Sequence, residues 1–412
     1  MTLFPLNLNE LLGQYGAYVV FLIVGFGFGY ALEISGFGNS KKLAAQFYFK
    51  EMTVLKVMFT AIIVAMVGIF LATAVGLLDY NMIWVNPTYL WPGIVGGLIM
   101  GVGFIIGGFC PGTSLVAVAT GKIDGVFFSL GVLFGIFGFG ETVEYFTEFF
   151  NSSYMGRFTI QDWFGVDAGW VVVGVVLMAI FMFWGGEKLE DAIGGMDNKN
   201  KAPKFRIIGA GVLVLIAAVT LIIGQPTSAE KWEMIADERE SLVEEERAYQ
   251  IHPAELLEYM NNDSVILHII DIRSETDFNL FHLRSSINVQ FDDLKDEIPF
   301  WLLEPSNSLF VLIGNHENVS TEAWKILVSE NVNNVYMLEG GINFWMKVFT
   351  SENPSDETPD LHIDDDDLHY QIEEALGHRH DLSDPDPEDF DIEFIPKVKL
   401  ELKKGPSGGG CG

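Results

Sequence analysis

Apolar and polar positions alternate in two different ways along this chain. Up to residue 224 the apolar runs are long and nearly free of charge: Tyr15 to Leu32, Val54 to Leu78, Trp91 to Phe109, Asp124 to Phe139, Gly169 to Gly185, and Ile207 to Gly224. Each approaches the roughly 20 residues that carry a helix across a bilayer, so six crossings are predicted, or seven with a short extra segment. Two apolar pieces, Lys41 to Phe49 and Gly112 to Thr120, are too short to span, and each comes after a Gly-rich helix. They read as re-entrant half-helices. Irregular backbone at that depth survives only where protein or a cavity surrounds it, so a central passage is implied. From Ile251 the pattern changes. His252-Pro253 opens a helix, and Val265 to Ile270 and Leu309 to Ile313 are short apolar strands. Such alternation predicts a small α/β domain with a parallel sheet.

Charge has the same division. Of the 55 acidic residues 14 lie at or before Gly224, with 11 of the 24 basic ones, so nearly all of the net charge of -31 belongs to the chain after Gly224. A multi-pass α-helical membrane half therefore precedes an acidic soluble half. The acidity excludes nucleic acid as a partner, since phosphates need Lys and Arg to neutralise them. The first stretch, Met1 to Glu10, has no basic region and no small-residue cleavage site, so the first apolar segment is expected to anchor the mature protein in the lipid bilayer. The chain thus divides into four: residues 1–224, a membrane domain; 225–250, a linker helix; 251–350, the α/β domain; and 351–412, an acidic, largely disordered tail.

The membrane half contains an internal repeat. Gly25 to Gly38 (GFGFGYALEISGFG) matches Gly97 to Cys110 (GLIMGVGFIIGGFC) at equal spacing, ending Gly36-Phe-Gly38 in one copy and Gly108-Phe-Cys110 in the other. Small-residue helix packing enriches glycine too. Repeated transporters, however, put substrate at the repeat interface with helix N-termini facing anions. Pro111 suits the first turn of a helix, which sets Cys110 at its cap, where the positive dipole end favours a thiolate or a bound anion. Thr113 and Ser114 add hydroxyl donors. Taken alone, Cys110 reads as a small buried hydrophobe; Gly107, Gly108, Pro111, Gly112, Thr113 and Ser114 around it, with Gly36 and Gly38 in the first copy, make it the candidate substrate-binding residue. Glu33, Glu141 and Glu144 read as solvated boundary charges. The stretch from Gly25 to Gly140 resembles the YeeE/YedE sulfur-transport family, most closely in Gly107-Gly-Phe-Cys-Pro-Gly-Thr113. The resemblance implies a bacterial inner-membrane protein that carries thiosulfate, with Cys110 on the path of the sulfur anion. Members of that family have further path cysteines, including one where this chain has Gly38.

In the soluble half, Ile269 to Phe278 and Phe281 to Val289 are similar to the rhodanese signature at Asp271, Arg273, Phe278, His282 and Asn288, and Leu338 to Trp345 matches its closing Gly-Gly-x-x-x-Trp element. A rhodanese-like fold over Ile251 to Lys347 is implied. The resemblance also locates the nucleophile position, which is Gly314 here, in a loop through Asn315, His316, Glu317 and Asn318 to Ser320. Without a thiol there is no persulfide intermediate, so the domain is expected to be catalytically degenerate and to bind a partner such as a sulfur carrier. His316 as a base or metal ligand is the less favoured reading. None of these motifs calls for a cofactor.

The tail runs through Asp364 to Asp367 and His378-Arg-His380, a solvated turn rather than a metal site, to Lys397 to Leu402, expected as an edge strand, and a Gly-rich end bearing Cys411. That thiol either replaces the missing nucleophile as a mobile carrier or belongs to an appended sequence. Lysines cluster at Lys41, Lys42, Lys50 and Lys56, and again at Lys188, Lys199, Lys201, Lys204 and Arg206. By the positive-inside rule both face the cytoplasm, which puts the soluble domain in the periplasm if Trp91 to Lys122 makes one net crossing. The expected function is transport of thiosulfate or a related small sulfur anion. A membrane-bound sulfurtransferase using Cys411 and a partner-recruiting scaffold are the alternatives.

Overall fold

The structure, a computed structural model, describes Phe4, Leu6, and residues 8–193, 204–244, 246–350, 367–368, 382–387, 390 and 392–401. Asp364 to Asp366, His378 to His380 and Cys411 lie outside them. The chain forms two compact units that divide between Gln225 and Pro226.

The membrane unit is built from α1 (Leu8–Ile34), α2 (Ser40–Ala45), α3 (Thr53–Ala74), α4 (Leu90–Gly107), α5 (Pro111–Ala119), α6 (Ile123–Thr142), the short α7 (Thr147–Phe150) and α8 (Ile160–Phe164), α9 (Ala168–Ile193) and α10 (Lys204–Ile223). Five segments are long and apolar enough to cross a membrane, with α4 and α5 counted together as Leu90–Ala119. Helix α10 supplies a sixth apolar helix, and no seventh appears among the described residues. The protein is a multi-pass membrane protein. Its large side chains point outward, Phe26, Phe28, Leu98 and Phe134 among them, as they do where the solvent is lipid. Helices α3, α9 and α10 close around Ile63, Val67, Val172, Val176, Ala179 and Ala217. Gly169 allows this closure, since a Cβ there would lie 2.8 Å from the Leu221 Cα.

Loop contacts define two faces of this unit. On one, Thr88 N donates to Gly156 O at 2.9 Å and Leu90 N to Ser153 O at 3.1 Å, while buried Arg157 donates to Asn81 Oδ1 at 2.6 Å and Tyr80 O at 2.8 Å. On the other, Lys56 pairs with Glu187 at 3.5 Å and Glu190 at 3.3 Å, and Lys122 with Glu33 at 4.0 Å. Lys56 of the first basic cluster thus meets the segment that opens the second.

The soluble unit comprises α11 (Ser228–Glu244), β1 (Gln250–Ile251), α12 (Pro253–Met260), β2 (Ile266–Asp271), α13 (Glu275–Leu280), β3 (His282–Leu283), β4 (Ser286–Asn288), α14 (Leu294–Trp301), β5 (Ser308–Ile313), α15 (Glu317–Ser329), β6 (Val335–Leu338), α16 (Gly341–Thr350) and β7 (Leu382–Ser383). Five strands form one parallel sheet in the order β1-β6-β5-β2-β4. Strand β5 is buried along its whole length, because helices cover both faces of a parallel sheet. Phe310 and Leu312 pack with Trp324 and Leu327 of α15 on one side; Leu309, Val311 and Ile313 pack with Leu256, Ile342 and Trp345 on the other. Helix α11, read from the sequence as a linker, packs on α15, with Trp232 and Trp324 edge to face at 5.8 Å.

Two pieces of the tail also dock here. Strand β7 pairs with β3. Residues 392–401 run extended along the domain but form no edge strand, which corrects the expectation for Lys397 to Leu402. Their amides are satisfied by side chains instead of a neighbouring backbone. Glu255 Oε1 accepts from Lys397 N and Val398 N at 2.9 Å each, the Tyr336 hydroxyl from Lys399 N at 2.9 Å, and Asn334 Oδ1 from Glu401 N at 2.7 Å. Burial pushes the Glu255 carboxyl above its ordinary range, outweighing the two amides that favour its charge. A raised folded-state value means that this contribution to stability is complete below the unfolded value and lost as pH rises through the folded one. Glu255→Gln keeps the accepting oxygen and removes the buried charge. Its thermal midpoint is expected to lose the decline that the wild type shows as pH rises through the raised Glu255 value; parallel profiles for the two proteins would contradict this.

Candidate functional site

The two copies of the repeat end alike. Helices α1 and α4 are succeeded by glycines in the left-handed region, Gly36 at φ 79 and Gly108 at φ 72, which a side chain would strain. Next come two buried phenylalanines, Phe37 and Phe109, in one apolar cluster with Leu43, Val54 and Ala117. The helix caps differ by one position. Asn39 caps α2, accepting from Lys41 N at 3.1 Å, whereas Cys110 itself caps α5.

Cys110 is half-buried, and Pro111 occupies the first helical position after it. Its Sγ lies 3.5 Å from Thr113 N and 3.3 Å from Thr113 Oγ1, while Cys110 N donates to Thr113 Oγ1 at 2.9 Å. This is a capping box in which sulfur takes the place of the usual oxygen. Thr113 and Ser114 are buried behind it, and Ser129 Oγ of α6 donates to Ser114 Oγ at 3.1 Å. Pro111 is exposed and Gly112 half-buried. Gly107 admits Phe128, whose ring would lie 2.3 Å from a Cβ at that position, and a Cβ on Gly108 would lie 3.0 Å from the carbonyl oxygen of Ser40, the start of α2. The described geometry therefore joins Gly107, Gly108, Cys110, Pro111, Gly112, Thr113 and Ser114 around one break. Gly36 and Gly38 lie at the companion break. Sequence reasoning treated Glu33 as an isolated boundary charge, and it missed that Glu33, Lys122 and Thr120 converge on Gly38; no spacing signal connects residues so far apart in the chain.

In the soluble unit the loop after β5 is tightly folded. A Cβ on Gly314 would lie 2.6 Å from His316 O and 2.9 Å from Ser320 Oγ. Ile342 N donates to Gly314 O at 2.9 Å and Asn343 N to Asn315 O at 3.3 Å, an approach that requires Gly341 at φ 64 with no side chain. His316 Nε2 lies 2.9 Å from Asn343 Nδ2, and Ser320 is fully buried with its hydroxyl unpaired. Glu317 accepts from Gly340 N at 2.6 Å and from both terminal nitrogens of Arg247, at 2.7 and 3.2 Å. Asp271, Arg273, Phe278, His282 and Asn288 form a structural knot. Arg273 chelates Asp271, Asn288 Nδ2 donates to the carbonyls of both at 2.9 Å, and Phe278 stacks on His282 at 4.2 Å.

Residues 35–237 match the family model described as sulphur transport, and residues 252–348 match that of the rhodanese-like domain. The chain is a sulphur-transport domain fused to a rhodanese-like domain. No curated protein matches it, and no solved structure does.

The loop after β5 leaves no room for a side chain at Gly314. Because the blocking atom at 2.6 Å from the Gly314 Cβ position is a backbone carbonyl, the loop itself would have to move before a cysteine fitted. Gly314→Cys is expected to cost about 1–3 kcal/mol through overpacking and to leave the full chain without thiocyanate formation from thiosulfate and cyanide. Turnover by that variant would overturn the account of the loop.

Proposed function

We propose that this sulphur-transport domain is an inner-membrane permease for thiosulfate or a related small sulfur-containing anion, and that Cys110 binds the anion at the break between α4 and α5. The observation that carries this reading is the thiol cap. Sγ stands half-buried at the N-terminal end of a nine-residue helix, held by Thr113. A helix N-terminus adds a partial positive charge, and an S–H group is one weak donor, so an anion is attracted without being trapped. Gly107, Gly108, Pro111, Gly112, Thr113 and Ser114 shape this station, and Gly36 and Gly38 its companion.

The basic clusters support a cytoplasmic position for the face that carries Lys56 and Lys122, which puts the rhodanese-like domain in the periplasm. There it acts as a docking module for a sulfur carrier, since its loop holds Glu317 and no thiol. The test is accumulation of labelled thiosulfate by a sulfur-auxotrophic host expressing the full chain. Accumulation above the empty host, competed by unlabelled thiosulfate, is expected. Equal accumulation in the two hosts would refute the permease reading.

A further inference from the structure

The repeat sets Gly38 opposite Cys110, and the space beside Gly38 is occupied. A Cβ built there would lie 2.9 Å from Lys122 Nζ, 3.0 Å from Glu33 Oε2 and 3.4 Å from Thr120 Oγ1. Where the second copy directs a thiol, the first therefore receives an ammonium with a hydroxyl beside it. A second ammonium lies against the same loop: Lys42 Nζ donates to Ser35 O at 3.1 Å and would sit 3.0 Å from a Cβ on Gly36.

These groups share an element with Cys110. Thr120 and Lys122 come directly after α5, the helix that Cys110 caps, so the residues bearing thiol and ammonium flank a helix about 14 Å long at 1.5 Å per residue. The two breaks also touch, with Gly108 against Ser40 and Ser40 Oγ donating to Asp124 Oδ2 at 2.9 Å. The charge of Lys122 is balanced by Glu33 across 4.0 Å, with both side chains partly exposed. Such long, solvated pairs are weak and open readily. An incoming anion can take the place of the carboxylate.

We propose that Lys122 is a second binding station for the sulfur anion, and that Glu33 is the exchangeable counter-ion occupying Lys122 when the station is empty; the Thr120 hydroxyl beside it is already donated to Val116 O and Ala117 O at 3.0 and 3.1 Å. The proposal rests on the permease reading and adds charge selectivity to it: an ammonium next to the path favours a divalent anion over a monovalent one such as thiocyanate. Because the carboxylate returns after each passage, Lys122 does not hold its ligand at the end of the path.

The experiment measures initial rates of labelled thiosulfate uptake into proteoliposomes carrying the full chain. Lys122→Gln is expected to raise KM about tenfold, the loss of one charge-assisted hydrogen bond, and to reduce the preference for thiosulfate over thiocyanate in competition. Lys122→Arg, which keeps the charge, is expected to stay within about threefold of the wild type. Glu33→Gln leaves Lys122 without its counter-ion and is expected to lower KM and Vmax together. A merely structural ion pair would make the two neutral variants move KM the same way, and that result would overturn the proposal, as would an unchanged KM in Lys122→Gln. If Lys122→Gln does not fold, Glu33→Gln decides: a KM that is not lowered overturns it. Absence of uptake by the wild type would instead refute the permease reading. Uptake that depends on Cys110 but not on Lys122 or Glu33 refutes this inference alone.

Discussion

Thiosulfate uptake is expected to fall at least about tenfold in Cys110→Ala, the cost of losing one hydrogen bond to a charged ligand. Two effects combine in that variant, and they can be separated. Alanine removes the thiol donor proposed for the anion, and it removes the cap that satisfies Thr113 N. Loss of an N-cap costs about 1 kcal/mol, enough to loosen the first turn of α5 but small beside the stability of a packed bundle. Cys110→Ser restores an accepting oxygen to the cap and changes only the chemistry of the donor. If the thiol binds the anion, serine recovers the thermal stability of the wild type and only part of its uptake. If serine restores both in full, Cys110 acts through helix geometry alone. Wild-type uptake in the alanine variant would sink the thiol mechanism outright.

In the soluble unit the largest effect is expected from Arg273→Leu. Arg273 and Asp271 are both fully buried, and the guanidinium reaches Asp271 Oδ2 at 2.6 Å, Phe281 O at 2.6 Å and Asn315 Oδ1 at 3.4 Å. Leucine leaves the Asp271 carboxylate buried without its counter-charge, and breaking such a pair costs about 3–5 kcal/mol. That is a large share of the about 5–15 kcal/mol that holds an ordinary domain together. Denaturant titration tracked by the fluorescence of buried Trp324 and Trp345 should show the midpoint fall sharply. A shift below about 1 kcal/mol, the size expected of a surface pair, would mean that the knot is not structural.

The fold was legible where physics acts locally. Apolar length marked α1, α3, α4, α6, α9 and α10 because a bilayer sets one scale for all of them. The break at Cys110 could be read because Gly108, Pro111 and the repeat converge on it within a few residues. What escaped was made by residues distant in sequence. Glu255 gives no sign on α12 that it will hold the amides of Lys397 and Val398, and alternating residues in Lys397 to Leu402 suggested a strand because periodicity reports which side chains are buried, not what the backbone bonds to. Likewise Glu33 read as a boundary charge, and nothing in the sequence joined it to Lys122, which lies beside it at Gly38. That the loop through Gly314 has no cysteine was plain in the sequence. How tightly the loop folds was not, because it depends on Gly341 in a different loop.

The strap over Glu255 changes what the acidic C-terminal region is. Helix α16 ends at Thr350, β7 is fixed on β3 at Leu382 and Ser383, and residues 392–401 are fixed along the domain again. Residues 397–401 belong to the folded domain: their amides bond to Glu255 of α12, to Tyr336 of β6 and to Asn334 just before it, so a late piece of the chain supplies the donors to a buried carboxylate oxygen of an early helix.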